Sequence, residues 1–278
     1  MTTLAENLDR LEAAITAACH RAGRERGTVE LMAVTKTCPA ATIVEAAALG
    51  LTLFGENRVQ EFAGKAAQIA VLRQLDLKTT KASIRAVGQG FSPDNKNAES
   101  SRALAPEASF STSPIRVHLI GHLQSNKAAR AVEIFDGIDS LDSLRLAERL
   151  NEAAGKLAKR LPVLIEVKLS PEESKSGLNP VSAEAAELLE RMPDFEHLHV
   201  RGLMTIAPLD VPEVATRACF RELSKLRERW AAAHPRLRLD VLSMGMSEDF
   251  ELAIEEGTTR IRIGTALFGE RAAQRETA

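Results

Sequence analysis

The 278-residue sequence contains no tyrosine. Any mechanism that needs a phenol as its proton carrier is therefore excluded. Cysteine is scarce: Cys19, Cys38 and Cys219 are odd in number and widely spaced, and form neither a disulfide framework nor a metal-ligand set. They read as small hydrophobes in a reducing compartment. Charge of either sign is not in excess. Lys and Arg number 36 against 38 Asp and Glu, so neither nucleic acid nor an anionic membrane is the expected partner. No apolar run approaches the roughly 18 residues of a membrane span. Glu6, Asp9 and Glu12 stand where a signal peptide would need an apolar core. A cytoplasmic protein is expected.

What remains is ordinary globular material. Hydrophobic residues make up 45% and charged residues 27%, which rules out a disordered chain. Length alone suggests about two domains, but a (β/α)₈ barrel of roughly 250 residues counts as one. The N-terminus is an amphipathic helix, with Leu4, Leu8, Leu11 and Ile15 on one face and Thr3 with Glu6 as a capping box. Eight apolar runs of strand length follow, at 31–35, 51–54, 116–120, 134–138, 163–169, 198–204, 239–242 and 260–263. Helical stretches lie between them, such as 141–156, 180–191, 212–230 and 248–256. Asn179, Asp210 and Ser247 stand at their starts, and Gly257 follows the last. Repeated β then α implies a parallel sheet with right-handed crossovers. Eight units favour a closed (β/α)₈ barrel with an extra N-terminal helix over an open sheet. The expectation is one barrel domain over 1–278 with an insertion at about 78–115. From Gly88 to Pro114, 13 of 27 residues are Gly, Ser, Pro or Asn, too little apolar surface to offset chain entropy, so this part reads as a mobile loop.

In a parallel barrel, functional groups gather at the C-terminal strand ends. Lys36 closes the first strand. There it is expected to be partly desolvated, which lowers an amine's pKa and frees it to attack a carbonyl. The alternative is a surface lysine that merely starts a loop. The seventh strand runs into Ser243-Met244-Gly245-Met246-Ser247 and the eighth into Gly264-Thr265-Ala266. Glycine lets backbone N–H groups approach an anion, and barrels often hold phosphate at these two loops. A carbonyl-seeking lysine plus a phosphate cradle suits pyridoxal phosphate, or a sugar phosphate in a lysine-dependent aldolase. Arg262 shares a strand face with Gly264 and needs a ligand or a core carboxylate such as Glu166. Val87-Gly88-Gln89-Gly90 lacks the third glycine of a dinucleotide fingerprint, and the six histidines show no metal spacing.

The runs at 33–36 (AVTK), 54–61 (FGENRVQE), 118–127 (HLIGHLQSNK), 173–177 (ESKSG), 201–208 (RGLMTIAP) and 242–269 span nearly the whole chain in order. In them the sequence resembles the pyridoxal phosphate homeostasis protein family, whose barrel is like the N-terminal domain of alanine racemase. The resemblance implies that Lys36 forms an aldimine with pyridoxal 5′-phosphate, with Asn57 beside the ring and its phenolic oxygen. It implies that Ser243 and the backbone of Gly264 and Thr265 hold the phosphate, with Met244 and Ser247 lining that end. Arg262 would face the pyridine nitrogen, and Met204 and Ile120 would pack near the ring. Two departures stand out: Val167-Lys168 where the family has Val-Asn, and Val117-His118-Leu119 where it has Trp-His-Phe.

The resemblance also implies storage or delivery of the vitamin B6 cofactor, with apo-enzymes that need it as recipients, and no turnover. A guanidinium has no acceptor and stays charged, so Arg262 favours an unprotonated pyridine, a poor electron sink. The related racemases use a tyrosine from a second domain as the second base, and this chain has neither. A monomer is expected. The competing reading is an amino-acid racemase or related enzyme using His122 or Cys38 as that base.

Overall fold

The computed structural model describes residues 2–74, 115–169, 176–208 and 210–269, with side chains left aside at 72–74. The insertion read at about 78–115 lies almost wholly outside them. The eight strands are β1 (Glu30–Val34), β2 (Leu53–Glu56), β3 (Arg116–Leu119), β4 (Gly137–Leu141), β5 (Leu161–Glu166), β6 (Leu198–Met204), β7 (Val241–Ser243) and β8 (Arg260–Ile263). All pair in parallel, in chain order, and β8 closes on β1 with Glu30 opposite Arg260. This is the expected closed (β/α)₈ barrel.

Among the described residues the helices are α1 (Leu4–Arg21), α2 (Ala40–Ala48), α3 (Val59–Gln74), α4 (Ala128–Ile134), α5 (Leu144–Lys156), α6 (Ala183–Arg191), α7 (Glu213–Ala233), α8 (Phe250–Glu255) and α9 (Thr265–Phe268). The capping box at Thr3 is present, with Glu6 N–H donating to Thr3 Oγ1 and Thr3 N–H to Glu6 Oε2. The extra helix α1 lies against α8 and α9. Asn7 Nδ2 donates to the Leu267 carbonyl, and Arg24 to the Ile254 carbonyl. Gly257 takes φ +97 directly after the C-cap of α8, as a left-handed helix stop requires.

The fourth strand starts later than its apolar run suggests. Ile134 ends α4, and Phe135 is buried against Phe62 of α3, ring centroids 4.8 Å apart. These apolar residues serve helix packing. The strand itself is Gly137–Leu141, and its buried Asp139 and Ser140 are polar, so hydrophobic patterning alone could not find it. Likewise β2 extends to a buried Glu56, and β7 ends on a buried Ser243. The expected caps at Asn179 and Ser247 sit just upstream of the real ones, Ser182 and Asp249.

The space between strands and helices is apolar, as strand alternation demands. The barrel interior is different. Arg260 of β8 donates to Asp139 of β4 at 3.0 Å, and these strands are not neighbours, so the bond crosses the lumen. Arg260 also pairs with Glu30, and His118 Nδ1 sits 2.8 Å from the other Asp139 oxygen. Burial opposes ionisation of Asp139, but His118 and Arg260 outweigh it and hold this carboxyl below the usual aspartate range. A charged layer thus plugs the lower barrel, where branched aliphatic residues usually sit.

Candidate functional site

At the C-terminal ends of the strands lies a cavity of about 250 Å³. It is lined by Lys36 after β1, Asn57 after β2, Ile120 after β3, Arg262 of β8, Gly264 and Thr265 at the start of α9, and the turn from Met246 to Asp249. Seven residues that the sequence singled out therefore converge here: Lys36, Asn57, Ile120, Ser247, Arg262, Gly264 and Thr265.

Lys36 is exposed at the rim, not partly desolvated as its place at a strand end suggested. Its backbone is tightly held on both sides. Thr35 is fully buried, and its hydroxyl donates to Glu56 Oε1 at 2.8 Å. Lys65 Nζ reaches three acceptors: Glu61 Oε1 at 2.9 Å, Glu56 Oε1 at 3.0 Å and the Thr35 carbonyl at 3.2 Å. Thr37, with φ +62, donates its N–H to the same Glu61 oxygen. A left-handed β-branched residue is strained unless its surroundings fix it, and Glu61 supplies that fixing contact. Burial pushes the Glu56 carboxyl above the usual range despite Lys65, and its Oε2 has no hydrogen-bond partner among the described residues. The acid-lysine-acid cluster was missed from the sequence. The only signal was a glutamate closing an apolar strand in FGE.

Asn57 is seated by Gly121. A Cβ at Gly121 would overlap both the Asn57 carbonyl oxygen and its Oδ1. Ser140 fixes the Gly121 carbonyl from below at 2.8 Å.

Arg262 forms the floor. It is buried, and Nη1 donates to Ser243 carbonyl (2.8 Å) and hydroxyl (2.9 Å) oxygens while Nη2 donates to the Thr205 carbonyl (2.9 Å). Among the described residues no carboxylate lies within ion-pair distance of it, so of the two alternatives the bridge to Glu166 is not formed. Burial works against its charge, and Asp139, Asp249 and Glu166 oppose that effect at longer range. Burial likewise pushes the Glu166 carboxyl up; Oε1 accepts from Ser176 at 3.0 Å, and Oε2 has no hydrogen-bond partner among the described residues.

The loop after β7 turns at Gly245, φ +94, where a Cβ would press on Ala253 at 2.6 Å. Met246 N–H donates to Asp249 Oδ1 at 2.5 Å, and Ser247 Oγ accepts from Ala266 N–H at 3.2 Å, tying this loop to α9. Asp249, the N-cap of α8, also lines the cavity. Met204, Ser243 and Met244 are fully buried behind the lining, so Ser243 reaches the cavity through Arg262. Lys168, His122 and Cys38 are not among the lining residues; His122 is exposed and paired with Asp142 at 2.9 Å. No group of His, Cys, Asp and Glu able to hold a metal occurs among the described residues. None of the described helices is long and apolar enough to cross a membrane.

A family model, the alanine racemase N-terminal domain, matches residues 7–272. The chain is similar to a protein of Pseudomonas aeruginosa named pyridoxal phosphate homeostasis protein, 38% identical over 272 residues, 98% of this chain and 97% of that one. A Vibrio cholerae protein of the same name is 38% identical over 273 residues, 98% of both chains. A solved structure of PipY from Synechococcus elongatus, with PLP bound, superposes with a TM-score of 0.73 at 36% identity, covering 96% of this chain and 100% of that one.

Proposed function

Because the chain belongs to the pyridoxal phosphate homeostasis family, on the alanine racemase N-terminal barrel, we propose that it binds pyridoxal 5′-phosphate in the Lys36 cavity. In this reading it stores and hands on the cofactor, with apo-enzymes that need it as recipients. One observation carries the reading. A single cavity brings together an exposed amine, a buried guanidinium whose nearest partners are neutral oxygens, and two loops rich in backbone and hydroxyl donors. Those groups fit an aldehyde, a ring nitrogen and a phosphate.

Lys36 supplies the amine for a covalent link to the aldehyde, the one reactive group the cofactor brings. Glu56, Lys65 and Glu61 pin the peptides on either side of that lysine. Asn57 would lie beside the ring. Ser247 and the backbone of Gly264 and Thr265 would hold the phosphate. Arg262, its plane fixed by Ser243 and Thr205, would face the ring nitrogen, and Met204 and Met244 would pack beneath.

The same floor argues against turnover. Arg262 accepts no hydrogen bond and stays charged, so it disfavours a proton on a nitrogen beside it. Racemization also needs a second base on the opposite face, and tyrosine is absent. His122 and Cys38, the alternatives, do not line the cavity. Titrating the full chain with pyridoxal phosphate tests both parts. The wild type gains the near-ultraviolet to visible band of the covalent form. Lys36→Ala loses that band and retains weaker binding, on the order of micromolar, near −8 kcal/mol. A full band in Lys36→Ala overturns the assignment. Sustained racemization or transamination of free amino acids by the loaded wild type overturns the non-catalytic role.

A further inference from the structure

The opposite end of the barrel, where β5, β6 and β7 begin, holds a second cavity of about 240 Å³. Its floor is apolar and closed: Phe195, Leu198 and Val200 are buried. Its rim is cationic, with Arg160, Arg236 and Arg238 around His199. Arg201, on the same strand at the bulge opposite Val163 and Leu164, lies close enough to act on the His199 charge and adds a fourth guanidinium beside the lining.

Two carboxylates stand against these four cations. Glu196 lines the cavity, and a single oxygen of Asp240 lies 3.1 Å from Arg238 and 4.0 Å from Arg201. Arg160 and Arg236 form no ion pair among the described residues, and Arg201 Nε is buried without a hydrogen-bond partner. Several arginines elsewhere are paired with two carboxylates each: Arg21 with Glu251 and Glu255, Arg217 with Glu213 and Glu255, Arg260 with Glu30 and Asp139. A local excess of two positive charges, in a chain whose formal net charge is −2, marks this end as different.

We propose that this cavity binds a small phosphate-bearing anion, gripped by Arg160, Arg236 and Arg238 above the apolar floor. The uncompensated charge equals that of a phosphate dianion, and a planar guanidinium matches phosphate oxygens two at a time. His199 reports on occupancy. Burial lowers its pKa, and Arg201 on its own strand, Arg160 before β5 and Arg238 before β7 lower it further, with Asp240 opposing. Glu196 faces the same space. A bound dianion reverses that field and raises the imidazole midpoint.

The test is an NMR titration of the His199 ring in the full chain, with inorganic phosphate and with chloride at matched ionic strength. His199 reads this end of the barrel alone, whatever phosphate does at the Lys36 cavity. A saturable rise in its midpoint with phosphate, weakened about ten-fold or more in Arg160→Gln/Arg236→Gln, supports the site. Both replaced side chains are exposed, so the fold tolerates the change. An equal rise with chloride, no rise at all, or an undiminished response in the double variant overturns it. Phenyl phosphate separates the two sources of the group. Tighter binding than inorganic phosphate assigns an organic phosphate seated on the floor, and equal binding assigns the free ion; either supports the site.

Discussion

Replacing Asp139 by Asn tests whether the charged plug in the lower barrel organises the fold. The carboxylate is 1% exposed and accepts from His118 at 2.8 Å and Arg260 at 3.0 Å. Asparagine keeps the shape but offers one acceptor oxygen, so its NH₂ must point at one of two donors. Breaking a buried pair from one side costs about 3–5 kcal/mol. At roughly 2–3 °C per kcal/mol for a chain of this size, thermal unfolding followed by circular dichroism should fall by about 6–15 °C. The pH dependence has a fixed sign. Because Asp139 titrates below its unfolded value, its contribution is complete above about pH 4 and is lost as pH falls through the folded value. The gap between wild type and variant should therefore narrow in acid. Asp142→Asn, whose His122 partner is exposed, serves as the control and should cost less than about 1 kcal/mol. A shift for Asp139→Asn as small as that control at neutral pH, or one that widens in acid, would refute the reasoning.

Other substitutions probe the site. In Lys65→Met, Glu56 and Glu61 lose their shared cation, and a loss of about 3–5 kcal/mol in chemical denaturation is expected, together with slower covalent capture at Lys36. Unchanged stability would show that the cluster does not hold the Lys36 turn. Gly121→Ala drives a methyl into the Asn57 backbone, an overpacking worth about 1–3 kcal/mol, and cofactor affinity measured by absorbance titration should fall by about ten-fold. Glu166→Gln removes a carboxylate that burial disfavours, so the variant should be the more stable protein at pH 8. That advantage should shrink as pH falls through the raised folded value and be gone once the ordinary glutamate range is reached, because the folded state holds this proton more tightly than the unfolded one. A variant less stable than wild type at pH 8 contradicts the assignment.

Much of this architecture is written as hydrophobic period. Five of the eight apolar runs share four or more residues with their strands, because each strand buries one face against helices, whereas the second, fourth and seventh share only two each. The fourth run failed for a physical reason: Ile134 and Phe135 serve helix packing, while the true strand carries Asp139 and Ser140 into a polar lumen. Lys36, Asn57, Arg262, Gly264 and Thr265 were legible because strand ends and glycine-bearing loops have fixed places in a parallel barrel. The family resemblance puts Ser243 on the phosphate. Its alternation with Leu242 does point it inward, but the Arg262 guanidinium lies between it and the open space. The Glu56, Lys65 and Glu61 cluster was invisible to spacing rules, since its members come from a strand and a helix that only the folded chain brings together. Asp249 is not marked in the sequence either, since an aspartate at a helix start is ordinary N-cap chemistry.

The most direct test of the central claim is borohydride reduction of the full chain after incubation with pyridoxal phosphate, followed by mass mapping of the labelled peptide. The account predicts one stoichiometric label, on Lys36. A label on Lys168 or another lysine, or no label after reduction, would contradict it.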